Sequence, residues 1–123
     1  MNIQNFIDNE FVDGVGTIDV FNPVTGKKVS RVASASAEDV NRALQAAQTA
    51  SNTYGQLSIN TRKTLIDELI VKLKDDETTI VDLLIEETGK THDVASYDFN
   101  MLVDCLGYYC LLYTSPSPRD TLL

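Results

Sequence analysis

The sequence predicts a mostly α-helical chain with β-hairpins at its N-terminal end, and three observations carry that prediction. Near residue 36 the apolar period changes from 2 to about 3.6. Before that point, short β-type runs alternate with turn residues such as Asn9, Pro23 and Gly26. After it, Ser36, Gly55, Ser58 and Gly89 punctuate apolar stretches where helices would open and close.

The hairpins are expected over residues 5–33. Phe6-Ile7 and Phe11-Val12 flank Asp8-Asn9-Glu10, a tight turn because Asp and Asn tolerate left-handed backbone. Ile18 and Val20 alternate with Thr17 and Asp19, and Val29 and Val32 flank Ser30 and Arg31. Between these runs, Pro23 fixes its own φ and lacks an amide donor, while Gly26 permits positive φ. That combination closes a second hairpin.

Four helices follow, at about 36–53, 58–74, 76–88 and 91–110. Ser36 and Asp39 form a capping-box pair that opens the first, with Val40, Ala43, Leu44 and Ala47 on its inward face. In the second, Leu65, Ile66, Leu69, Ile70 and Leu73 point inward and Lys63, Asp67, Glu68 and Lys72 outward. Acidic Asp75-Asp76-Glu77 suits the positive end of the third, whose apolar side is Ile80, Val81, Leu84 and Ile85. The fourth, capped by Thr91, is assigned an inward face of Val94, Tyr97, Met101, Leu102, Cys105, Leu106 and Tyr109. Residues 111–123 break the pattern, since Pro116 and Pro118 cannot continue a helix; this tail is expected to be disordered or non-native.

Composition narrows function. A net charge of −8 repels nucleic-acid phosphates and anionic lipid, so neither is expected as a partner. Polar, acidic Met1–Phe11 does not resemble a signal peptide, and cytoplasm is the expected location.

Candidate chemistry is sparse. Thr25-Gly26-Lys27 and Thr88-Gly89-Lys90 each hold Gly-Lys, but a phosphate loop needs a glycine five residues earlier, where Phe21 and Leu84 stand. His92, the one histidine, could serve a Cys105 or Cys110 nucleophile in a small hydrolase, although a first-turn surface residue is the simpler account. Cys105 shares its assigned face with Met101 and Leu102, the setting of a packed cysteine with no cation to favour the thiolate. Asp75, Asp76, Glu77, Asp82, Glu86 and Glu87 could bind a hard cation, or simply form a wet helix face.

The order of the pieces adds what these residues alone do not. "FIDNEFVDG", Asn22-Pro23-Val24-Thr25-Gly26, Glu38-Asp39-Val40, Arg62, Thr88-Gly89-Lys90 and Tyr108-Tyr109 together resemble the N-terminal region of the aldehyde dehydrogenase superfamily. The resemblance runs from about residue 5 to Cys110 and leaves out the tail. It implies an α/β parent enzyme with a doubly wound nucleotide domain. That enzyme would oxidise an aldehyde to a carboxylic acid with NAD or NADP through a cysteine thiohemiacetal and a thioester, and would be a homo-oligomer. The family's nucleophile, base and glycine-rich segment come later in its chain, so no catalytic or cofactor-binding residue is expected here and the segment is expected to be inactive. The resemblance also implies a structural K⁺ or Na⁺ held by the backbone carbonyls of Val20 and Phe21 and by the carboxylate of Glu87. A stand-alone acidic helical interaction module is the alternative reading.

Overall fold

The computed structural model describes residues 1–112, with side chains through Tyr108. The order is β1 (Asn2–Ile3), β2 (Asn5–Ile7), β3 (Glu10–Val12), β4 (Gly16–Phe21), β5 (Lys28–Ser34), α1 (Ala37–Tyr54), α2 (Ile59–Asp75), α3 (Glu77–Thr88) and α4 (His92–Leu112). The chain is mostly helical with strands first, as the change of period implies. The proposed tail at 111–123 lies outside the described residues, apart from the backbone at the end of α4. Two compact units are present: Met1–Gln56 with Glu86–Gly89, and Leu57–Ile85 with the chain from Lys90.

In the first unit, β2 and β3 pair antiparallel with Phe6 opposite Phe11 and Ile7 opposite Glu10. The two turn residues, Asp8 and Asn9, have φ of 52° and 64°. This is the left-handed pair that a two-residue hairpin requires, because its twist matches that of the strands. The Phe6 and Phe11 rings meet across the pair at a 60° tilt with centroids 5.1 Å apart. Strands β4 and β5 form the second hairpin. Asn22 shapes its loop: Oδ1 accepts from the Val24 and Thr25 amides, and the carbonyl accepts from the Gly26 amide at 2.8 Å. The segment that superficially suggested a phosphate loop therefore turns the chain, with its own side chain filling the turn.

Strand β1 is an element the sequence pattern did not indicate. It joins the other edge of β5 in parallel, Asn2 opposite Arg31 and Ile3 opposite Val32, giving the sheet order β1-β5-β4. Two residues are too few to show a period. Helix α1 opens on Ser36, whose Oγ accepts from the Asp39 amide at 3.0 Å while Asp39 Oδ2 accepts from the Ser36 amide at 2.8 Å. Its assigned inward face differs from what the structure shows. Val40, Leu44 and Ala47 are exposed, and only Ala43 of that set is half-buried.

The second unit holds the clearest core: Val81 of α3 with Ala95 and Phe99 of α4, ringed by Leu73, Ile80, Leu84, Ile85 and Val103. The α2 assignment holds for Ile66, Ile70 and Leu73, which are half-buried, while Leu65 and Leu69 are exposed. The α4 assignment needs correction. Val94, Tyr97, Met101, Leu102 and Cys105 are exposed, Leu106 alone of the assigned set is half-buried among the described side chains, and the covered side is Ala95, Phe99 and Val103. Periodicity failed because α4 is apolar on two sides, and spacing alone cannot say which one faces the core. The side chain of Tyr109 lies outside the described residues.

Candidate functional site

The candidate cation ligands Val20, Phe21 and Glu87 all belong to the first unit. Val20 and Phe21 end β4, where the ladder slips: Val20 faces Ser30 but Phe21 faces Lys28, so Val29 is the extra residue of a bulge. A bulge disrupts regular pairing and is a common place for backbone groups to take other partners. Ser30 on this ladder is 1% exposed, and its Oγ has no hydrogen-bond partner. A buried hydroxyl without a partner is the mark of a missing water, ion or further chain.

Glu87 reaches this unit through the close of α3. Gly89, two residues on, has φ of 71° and ends the helix in left-handed geometry. An added Cβ there would sit 2.8 Å from Val24 Cγ2 and 3.0 Å from Pro23 Cγ, so the turn after Phe21 lies directly against it. The exposed Glu87 carboxylate thus belongs to the same unit as the β4 end. Its oxygens and two carbonyl oxygens are the donor type a hard cation takes. Among the described residues no three His, Cys, Asp or Glu side chains converge as a metal cluster, so carbonyls would have to do much of the binding.

The other candidates separate. His92 and Cys105 lie on one continuous helix thirteen residues apart, which puts them roughly 20 Å from each other at 1.5 Å per residue. No dyad forms between them, and Cys110 lies still farther along the same helix; its side chain falls outside the described residues. His92 Nδ1 lies 3.5 Å from Ser96 Oγ, one turn on. Cys105 is exposed rather than packed. A shallow open cleft between the β2–β3 turn and α1 is lined by Asp8, Arg42, Gln45, Thr49 and Thr53.

Electrostatics elsewhere are structural. Lys28 Nζ lies 2.6 Å from Asp19 Oδ1, and Arg31 Nε donates to the same oxygen at 3.1 Å. Those bonds, Lys28 first, hold the Asp19 carboxyl below its ordinary value. This trio was not read from the sequence, and the signal for it is the cross-strand register that sets Asp19 opposite Arg31. In the second unit Lys90 pairs with Asp98 across the start of α4.

Comparison with known proteins gives a consistent answer. The aldehyde dehydrogenase family model matches residues 11–121. That match passes Cys110, where the motif resemblance stops. Mitochondrial aldehyde dehydrogenases of Equus caballus and Homo sapiens are each 34% identical over 113 residues, covering 86% of this chain and 22% of theirs. PnpE, solved with nicotinamide adenine dinucleotide, superposes with a TM-score of 0.83 at 31% identity, covering 89% of this chain and 23% of its own. Betaine aldehyde dehydrogenase from Staphylococcus aureus, solved with NAD⁺, gives 0.83 at 25%, with 94% and 26% covered. The chain spans about a fifth of the length of the curated relatives it matches.

Proposed function

Because the chain belongs to the aldehyde dehydrogenase family across residues 11–121, we propose that it is the N-terminal segment of an oxidoreductase that converts an aldehyde to a carboxylic acid with NAD or NADP. The observation that carries this reading is a family match over nearly the whole chain, combined with coverage of only 22% of the curated relatives. In the parent reaction a cysteine thiolate adds to the carbonyl carbon. NAD or NADP, when bound by the parent, would supply the hydride acceptor, and water would then release acid and free thiol from the thioester. Among the described side chains, His92 and Cys105 stand thirteen residues apart on α4, and both Gly-Lys steps lack the earlier glycine of a phosphate loop. No step of that chemistry is assigned to residues 1–112. Their part is scaffolding: a sheet, two hairpins and four helices around a reaction centre carried by later residues.

The purified 123-residue chain, incubated with an aliphatic aldehyde and NAD, is expected to produce no NADH and to give no binding heat with NAD in calorimetry. Turnover free of contaminating enzyme would overturn the scaffold reading. A longer reading frame at the same locus is expected to run into a glycine-rich turn and a cysteine nucleophile. A natural stop after Leu123 would count against both the segment reading and the non-native tail.

The cation site belongs to the same proposal. The Val20 and Phe21 carbonyls and Glu87 would hold K⁺ or Na⁺, whose role would be to tie the β4 end to the end of α3. The bulge, the unpartnered Ser30 hydroxyl and the seat of Pro23 on Gly89 support it. In the full-length parent, Glu87→Ala should abolish the dependence of thermal stability on K⁺ or Na⁺; unchanged ion dependence would remove the site.

A further inference from the structure

Helix α4 carries a second apolar stripe that the described residues leave exposed. Val94, Tyr97, Met101 and Leu102 are 46%, 62%, 46% and 44% exposed, and Cys105 is exposed among them. At about 100° per residue, the stripe is centred roughly 150° around the helix from Ala95, Phe99 and Val103, which face the core of the second unit. Polar Asp93, Asn100 and Asp104 occupy the remaining side, while Asp98, which falls within the stripe between Val94 and Leu102, is neutralised there by its ion pair with Lys90.

A helix that is apolar on nearly opposite sides has the pattern of an element held between two layers. A solvated helix of a finished domain needs one such side only. No described helix is long and apolar enough to cross a membrane, and a net charge of −8 disfavours an anionic lipid surface as the second layer. A second copy of this chain is disfavoured by charge, because pairing would bring together two chains of −8 each. The relatives are about four to five times longer than the matched region, 22% of the curated ones and 23–26% of the solved ones being covered. That leaves ample polypeptide to supply a layer.

We propose that the Val94–Tyr97–Met101–Cys105 stripe is an interior packing face, covered by polypeptide that follows this segment in the full-length enzyme. This rests on the reading of the chain as an N-terminal segment. Cys105 reports on it, because a thiol on the stripe is open in the short chain and would be shielded once the layer is in place.

The experiment compares N-ethylmaleimide labelling of Cys105, read by peptide mass spectrometry, in two proteins. One is the 123-residue chain; the other is a chimera in which residues 1–110 replace the matching segment of rat mitochondrial aldehyde dehydrogenase. Labelling in the chimera is expected to be at least about tenfold slower, and to return to the short-chain rate in guanidinium. Equal rates in a chimera that oxidises aldehyde would overturn the stripe proposal and leave the family reading standing. A protected Cys105 in a chimera with no dehydrogenase activity would support the stripe proposal and count against the scaffold reading of the segment. The short chain provides a second measurement that does not depend on the chimera folding. Its Cys105 should label at a rate independent of protein concentration, and Met101→Asp should leave its melt unchanged. Concentration-dependent protection accompanied by dimer in sedimentation would assign the stripe to a second copy and overturn the proposal.

Discussion

Gly14 and Gly89 show how single residues hold the first unit together. A Cβ on Gly14 would fall 2.0 Å from the Ser34 carbonyl oxygen and 2.8 Å from its nitrogen, so backbone passes backbone with no room for a side chain. Nothing lies within 4 Å of the same position on Gly16. Gly14→Ala should therefore cost at least about 2 kcal/mol, and Gly16→Ala under about 0.5, compared by urea midpoints. Gly89→Ala combines positive φ with a clash against Val24 and should cost about 1–3 kcal/mol while releasing the 22–26 turn. Ser36 works by hydrogen bonding. Its amide and then its hydroxyl donate to Asp39, each at 2.8 Å, and hold that carboxyl below its ordinary 3.8. A depressed carboxylate stabilises the fold above the unfolded value and loses that contribution as pH falls through the folded one. The chain should thus lose stability below about pH 4, and Asp39→Asn should flatten the acid limb of a pH–melting curve. An unchanged acid limb in Asp39→Asn would mean the capping box does not contribute to acid sensitivity.

At the level of elements, the sequence was most legible where local chemistry decides the outcome. Asp8-Asn9 selects its turn, Ser36-Asp39 starts α1 and Gly89 closes α3, each through a backbone requirement met within a few residues. Strand β1 and the Asp19–Lys28–Arg31 trio depend on partners up to thirty residues away, which no local window contains. The face of α4 was misread for a different reason: both of its sides are apolar, so its orientation is a tertiary fact. Likewise, the candidate cation ligands are two backbone carbonyls and an exposed acid, groups that carry no side-chain signature; only family resemblance pointed to Val20, Phe21 and Glu87. The corrected face makes a sharp prediction. Phe99→Ala should cost about 3–5 kcal/mol, because it empties the space against Val81 and Ala95, and the second unit should unfold. Met101→Ala, half a turn away, should change the urea midpoint by under about 0.5 kcal/mol equivalent in the same chain. Equal effects would return the core to the face first assigned from periodicity.

For the molecule as a whole, the balance between covered and uncovered apolar surface decides how the chain behaves alone. Among the described residues, the buried apolar side chains are Ile7, Val81, Ala95 and Phe99, with the last three forming one cluster. Against them stand Phe6, Phe11, Ile18, Phe21, Val40, Leu44, Leu65 and Leu69, all exposed, in addition to the α4 stripe. Folding stability is a small difference between burial and conformational entropy, each of order 100 kcal/mol for a domain. A chain that leaves so many large side chains in water forgoes much of the favourable side while still meeting the entropy cost of four ordered helices. Its net charge of −8 works against close association of folded chains, so the exposed apolar faces drive aggregation chiefly on heating, when unfolding adds to them. The isolated 123-residue chain should therefore bind an apolar dye such as ANS in native buffer, unfold over a broad urea range, and aggregate on heating. Extending it by the polypeptide of a full-length family member should abolish dye binding and sharpen the transition, because the same side chains would then be covered. A monomeric 123-residue chain that excludes the dye and melts cooperatively at high temperature would show that its exposed faces need no further layer.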